Sequence, residues 1–160
     1  MRRTPAAEKT GNRKSNTQAQ ARCVCGAVTL EIDVPARWAW HDHSAPSRLA
    51  QGSAYVTYVG SWRSRFRVLG GAEHITRFED AETRTIRSFC GRCGTPLIYE
   101  RQTSPTMVNI PRALFVTRTG REPRYHMHME QSAEWTWRGE PLFPLRGYPG
   151  VLWTRARRGP

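Results

Sequence analysis

Four cysteines in 160 residues fall as two short pairs, Cys23-x-Cys25 and Cys90-x-x-Cys93, each followed at once by a glycine, Gly26 or Gly94. Thiolates are soft metal ligands, and a structural Zn²⁺ takes four donors in a tetrahedron with Zn–S near 2.3 Å. A pair one or two residues apart delivers two donors from one tight turn. Glycine behind the second cysteine lets the chain bend with positive φ, and backbone N–H groups can then point at the sulfurs. The same residues also admit a C-x-x-C redox pair, or two unconnected pairs of buried thiols. A redox C-x-x-C opens a helix in a βαβ setting, and no such helical pattern flanks Cys90 and Cys93. The spacing therefore predicts one structural Zn²⁺ on Cys23, Cys25, Cys90 and Cys93, clipping the first strand to a hairpin more than sixty residues later.

The elements that must position these pairs read as strands. Val28, Leu30, Ile32 and Val34 alternate with Thr29, Glu31 and Asp33, the period-two pattern of a half-buried strand. "SAYVTYVG" and "RFRVLGG" are β-branched or aromatic and end in glycine, as strands closed by turns do. Further strands are expected at His74–Phe78, Thr85–Phe89, Pro96–Glu100, Thr106–Ile110 and in "RYHMHME". There Met127 and Met129 would face the core, with His126 and His128 on the other side. No helical stripe with caps stands out, and Arg112–Val116 is one turn at most. Many short strands at regular spacing predict an all-β domain.

Length and polarity set the boundaries. One hundred and sixty residues make one domain, large enough to bury roughly two-thirds of its unfolded surface. Residues 1–20 are polar without hydrophobic period and read as a disordered basic arm. Residues 21–153 form the domain, and 154–160 a loose basic tail. No apolar run approaches the ~18 residues of a membrane span, and no signal-peptide core follows the basic start. A soluble, cytoplasmic protein is expected, in which reduced thiols favour metal over disulfides.

The formal charge is +12, which invites a nucleic-acid reading. Its distribution weakens that reading, because Met1–Lys14 carries a net +4 and Arg155, Arg157 and Arg158 add +3, leaving +5 on the body. Four thiolates on Zn²⁺ would lower the body further. Arg63, Arg65 and Arg67, interleaved with Trp62 and Phe66, form the one basic, aromatic-bearing face that could suit single-stranded nucleic acid. The same pattern describes a solvated strand face.

The flanks of the cysteines, "RCVCGAVTLEI" and "FCGRCGTPLIY", together with Gly52–Ser53 and "YHMHMEQSAEW", resemble the glutathione-dependent formaldehyde-activating enzyme family, which includes centromere protein V-like proteins. The likeness runs from Arg22 to Leu145. It implies a Mss4-like β-tent of short antiparallel strands around a structural zinc. It also implies a carbon–sulfur lyase that condenses formaldehyde with glutathione to S-hydroxymethylglutathione on a second, catalytic zinc. The family holds that second ion in a C-H-C-x-x-C-R-x-x-x-G-S segment, and here the matching stretch is "DHSAPSRLAQGS". Asp42, Ser44 and Ser47 stand at the three cysteine positions, while His43 and Arg48 are kept. A serine hydroxyl is a poor Zn²⁺ ligand at neutral pH. A second ion is therefore not expected, unless Asp42 with His41 or His43, or with His126 or His128, rebuilds a weaker site.

Without that Lewis acid the family reaction loses several kcal/mol of transition-state stabilisation. The chain then reads as a pseudoenzyme, or as a homologue turned to another small thiol or aldehyde ligand. A basic interaction or nucleic-acid-binding module on the same scaffold is the alternative. Arg48 could hold a carboxylate such as that of glutathione, and His126 falls where the family has a histidine opening a strand, open to a pocket role or to ordinary packing. Trp38 and Trp40 could wall a small pocket from a loop. With no partner for Asp42 in view, its loss is expected to cost little stability. Substrate, oligomeric state and biological process leave no mark in the sequence.

Overall fold

Alternation of apolar and polar residues drives this chain into short antiparallel strands, and the computed structural model describes residues 17–136. In chain order these are β1 (Gln18–Arg22), β2 (Thr29–Asp33), β3 (Trp38–Asp42), a two-turn helix α1 (Ala45–Gln51), β4 (Val56–Trp62), β5 (Phe66–Gly70), β6 (Ile75–Asp80), β7 (Thr85–Cys90), β8 (Pro96–Arg101), β9 (Met107–Pro111) and β10 (His126–Met127). The domain is all-β, as expected. A three-stranded sheet runs β1-β2-β5, and a seven-stranded sheet runs β10-β3-β4-β9-β8-β7-β6.

The main core lies between the sheets. Ala19 and Ala21 of β1 and Leu30 and Ile32 of β2 pack with Val59, Val108, Ile110 and Leu97 from the larger sheet. Period-two alternation sends the next residues of those strands outward, so the far face of the large sheet carries a second cluster, Trp40, Tyr58 and Tyr99. Among the described residues no helix is long and apolar enough to cross a membrane.

Several expectations need correction. The arm does not extend to residue 20: Gln18–Gln20 belong to β1, whose every second residue is buried. Residues 1–16 and 137–160, including the expected end of the domain at 153 and the tail 154–160, lie outside the described residues. Trp38 and Trp40 stand on a strand, β3, and not in a loop. The helix α1 carries no apolar stripe, because its buried residue is Ser47 while Leu49 is 84% exposed. Arg63–Arg65 is a 3₁₀ turn, so only Arg67 of the three arginines lies on a strand. In "RYHMHME" just His126 and Met127 pair, parallel to β3. The chain leaves the strand at His128, whose φ is 58°, and continues as a 3₁₀ turn over Met129–Gln131. Met129 is consequently exposed and outside the core.

Candidate functional site

Two turns at one end of the sheets bring the cysteines together. Cys23 and Cys25 lie in the β1–β2 connection, while Cys90 ends β7 and Cys93 lies in the β7–β8 connection. The turns close alike: Cys23 N–H donates to the Val28 carbonyl at 3.1 Å and Cys90 N–H to the Thr95 carbonyl at 2.9 Å. Gly26 and Gly94 take φ of 75° and 72°, the left-handed conformation that glycine adopts without a Cβ clash.

All four sulfurs lie within 4.8 Å of one another. Cys23 and Cys25 Sγ are 3.5 Å apart, and Cys25 and Cys90 Sγ 3.8 Å. A tetrahedral ZnS₄ centre places its sulfurs about 3.8 Å apart, given Zn–S near 2.3 Å, so the donor set fits such an ion. Cys23 and Cys90 are buried, whereas Cys25 and Cys93 are exposed, which seats the centre at the surface with one rim open.

The polar surroundings favour thiolates. Val28 N–H donates to Cys23 Sγ at 3.2 Å, and Thr95 Oγ1 lies 3.0 Å from Cys93 Sγ while accepting from Val24 N–H at 3.2 Å. The Thr95 hydroxyl, followed by its backbone N–H, draws the Cys93 thiol down to about 5. Burial opposes ionisation of Cys23, yet the Val28 N–H and the neighbouring thiols hold its pKa below the ordinary thiol value. Cys25 is pushed up to about 11: the Ala27 N–H pulls it down, but the bonds with Cys23 and Cys93 outweigh that pull. A divalent cation at the cluster would have to release the proton that Cys25 holds. Thr95 was not singled out in the sequence, although its place directly behind the Cys-x-x-Cys-Gly turn is the signal that could have found it.

The segment expected to have lost a second ion runs from the end of β3 into α1. Asp42 and Ser47 are 1% and 0% exposed. Asp42 Oδ2 accepts the Ser47 hydroxyl at 2.7 Å and the Ser44 hydroxyl at 3.1 Å, and Oδ1 accepts Ser44 N–H at 3.1 Å. Behind Ser47, Arg87 of β7 reaches its Oγ and the Tyr58 hydroxyl, each at 3.4 Å. The guanidinium lies 4.6 Å over the Tyr99 ring. Burial raises the Tyr58 pKa, although Ser47 and Arg87 pull it the other way. The network is a relay of donors ending on one buried carboxylate.

The histidines stand elsewhere. His41 and Asp42 are consecutive on β3, so their side chains take opposite faces. The alternative of a site rebuilt from Asp42 with His41 therefore finds the two side chains on different faces. His43 Nε2 and His126 Nδ1 lie 3.0 Å apart, brought together by the parallel pairing of β10 with β3. The His41 and His126 ring centroids are 4.9 Å apart, and Tyr55 packs 5.0 Å from His41 and 5.1 Å from His43. His41 Nδ1 meets Thr57 Oγ1 at 2.9 Å. Burial, then the nearby His126 and His43, lowers the His41 pKa. His128 sits apart, 3.5 Å from Glu130. Among the described residues, the cysteines are the group with three or more such donors in metal-binding range.

Arg48 donates from Nε to the His43 carbonyl at 3.2 Å and from Nη2 to the Gln131 carbonyl at 3.0 Å. Its fork ties α1 to two backbone segments instead of presenting itself to a ligand carboxylate. The arginine face is also occupied. Arg63 pairs with Glu100, Arg65 with Asp33, and Arg67 with Glu31 at 2.9 Å and also with Asp33. Glu31 and Arg67 are direct cross-strand neighbours, which is why the charges meet.

The family model described as glutathione-dependent formaldehyde-activating enzyme matches residues 18–131. A crystal structure of a Rhodobacter sphaeroides protein is similar at 23% identity, covering 62% of this chain and 89% of that one with a TM-score of 0.53. At that identity the likeness shows a shared fold.

Proposed function

From the premise that this chain belongs to the glutathione-dependent formaldehyde-activating enzyme family, we propose that it is a one-zinc member that no longer performs the family's carbon–sulfur lyase reaction. Cys23, Cys25, Cys90 and Cys93 hold the structural ion. Asp42, Ser44 and Ser47 replace the cysteines of the catalytic ion. The observation that carries this reading is the Asp42 carboxylate, which accepts three hydrogen bonds from Ser44 and Ser47 inside its own segment. A buried carboxylate satisfied in this way loses those bonds if it turns to a cation. The serine hydroxyls would have to give up a proton to compete as ligands.

Zinc when bound at the cysteines supplies folding energy and no open coordination position. The chain's own residues then set what remains: a Mss4-like scaffold, cytoplasmic by the state its thiols require, whose ligands are small molecules. The nucleic-acid alternative draws no support from Arg63, Arg65 and Arg67, which are paired with acids.

Plasma mass spectrometry on protein prepared in metal-free buffer, beside an assay of S-hydroxymethylglutathione formation, tests the proposal. One zinc per chain with no rate above the uncatalysed reaction is expected. Two zincs per chain, or metal-dependent turnover, would overturn it.

A further inference from the structure

The outer face of the seven-stranded sheet is hollowed by its own register. Trp38 of β3, Gly60 of β4, Asn109 of β9 and Tyr99 of β8 form one cross-strand row. Gly60 makes room in that row, because a Cβ there would stand 2.1 Å from Trp38 Nε1. The Trp38 indole therefore lies down over the strand. Trp40, one step along β3, packs edge-on to Trp38 with ring centroids 6.4 Å apart and against Tyr58 at 5.5 Å. Above this aromatic floor is a cavity of about 600 Å³, well inside the roughly 300–1,000 Å³ of small-molecule sites.

Charge says what the cavity would take. Arg37, Arg101 and Arg121 line it, and no Asp or Glu is among the described residues that do. The ion pairs that arginines make among the described residues use Arg63, Arg65, Arg67 and Arg77 instead. The three cavity arginines are held by other means. The Arg37 guanidinium lies 5.9 Å over Trp38 and 5.5 Å over Trp62, Arg101 Nε donates to the Tyr99 hydroxyl at 3.0 Å, and Arg121 Nε donates to the Ala36 carbonyl at 3.1 Å. Each is anchored through Nε or by ring stacking, which leaves the Nη atoms of a planar fork suited to an oxyanion.

Polar satisfaction in the wall is incomplete. Trp40 Nε1, a donor, and Asn109 Oδ1, an acceptor, are buried without a hydrogen-bond partner among the described residues. Both residues are about one-twentieth exposed and both belong to the cavity wall. The Asn109 amide is oriented by its Nδ2, which donates to the Tyr99 carbonyl at 3.0 Å. Buried polar groups are nearly always paired, so these two mark a weak point in the wall, but both are closed off from solvent and a ligand reaches them only if the wall opens over them.

We propose that this cavity binds a small planar organic oxyanion, a carboxylate or a phosphate, with its ring against Trp38 and Trp40 and its charge on Arg37, Arg101 and Arg121. The site goes beyond the zinc reading and does not depend on it.

Titration of the full chain with benzoate, phenyl phosphate and benzamide, followed by tryptophan fluorescence and ligand-observed NMR, tests this. Saturable binding of at least one anion is expected, with benzamide, the neutral counterpart of similar shape, weaker by about tenfold or more. Whichever of benzoate and phenyl phosphate binds tighter identifies the carboxylate or the phosphate as the source. Arg121→Ala and Arg101→Ala, checked for native circular dichroism, should each weaken anion binding by about tenfold and leave benzamide unchanged. Trp40→Phe shrinks the aromatic floor and should weaken binding several-fold. Failure of both anions to saturate, equal affinity for benzamide, or indifference to both arginine variants would overturn the proposal. None of these outcomes bears on the zinc count.

Discussion

The Ser47 hydroxyl donates to Asp42 Oδ2 at 2.7 Å, from a helix residue with no exposed surface to a strand-end carboxylate that is 1% exposed. The bond joins α1 to β3 at the segment where the family likeness would place a metal. Ser44 adds a hydroxyl and a backbone N–H to the same carboxylate. What reads along the sequence as three missing ligands is, in the fold, a closed set of mutually satisfied groups.

Asp42→Ala should therefore be costly, contrary to the expectation formed without a partner in view. It strands a fully buried Ser47 hydroxyl and opens the turn into α1. Leaving a buried polar group unpaired costs about 1–3 kcal/mol. Denaturant unfolding of the two proteins should place Asp42→Ala lower by about that amount, and Asp42→Asn, which keeps one acceptor, between them. Equal midpoints for all three would mean the network does not stabilise the fold.

A second expectation concerns acid. The folded-state pKa of His41 lies below the ordinary 6.5, through burial first and then the neighbouring His126 and His43. As the pH falls below 6.5 the unfolded chain takes up a proton that folded His41 resists. The unfolded state then binds more protons, and stability drops with pH until the folded value is reached. His41→Gln should flatten the dependence of melting temperature on pH between neutrality and mild acid. Protonation of the cysteines destabilises both proteins alike, so the difference between the two slopes is the quantity to measure. Parallel slopes would remove His41 from the account.

The cysteine turns and most strands were legible because they rest on short-range signals: pair spacing, glycine behind the pair, and period-two alternation. The elements that escaped have physical reasons for doing so. β1, with Gln18, Gln20 and Arg22 outward and only Ala19 and Ala21 inward, buries too little apolar surface for a polar stretch to announce it. α1 buries a serine, so no apolar stripe marks it. Met129 follows the alternation of a strand, but the left-handed turn at His128 ends that strand first. The Asp42 network and the Trp38–Gly60–Asn109–Tyr99 row depend on pairing between distant strands, which no local pattern encodes.

Thr95 gives a direct handle on the metal centre. Its hydroxyl is the largest influence holding the Cys93 thiol down at about 5. A thiol must lose its proton to bind a cation, so metal affinity falls when that proton is held more tightly. Thr95→Val keeps the shape and removes the hydroxyl. Competition with a chromophoric chelator should show zinc bound about 10–100-fold more weakly, the usual scale for loss of a group that supports a ligand. The deficit should be larger at neutral pH than in mild alkali, where the proton is easily lost. An equal deficit at both pH values would assign Thr95 a purely structural part.

The one-zinc reading makes a constructive prediction. If the exchange of three thiols for Asp42, Ser44 and Ser47 is what separates this chain from two-metal members, then the combined variant Asp42→Cys, Ser44→Cys, Ser47→Cys should recover a second ion. The three positions are already close enough for Asp42 to reach both serines, so thiolates there converge without a change of backbone. Removing the carboxylate also removes the acceptor that holds the serines inward. Arg87, beside Ser47, would favour thiolates over thiols as a nearby positive charge. The zinc count should rise from one to two per chain, and the added ion should leave first on titration with chelator, because its set lacks a fourth cysteine. A folded variant that still binds one zinc would show that more than these three side chains was lost, and the proposal that they alone account for the missing site would fail.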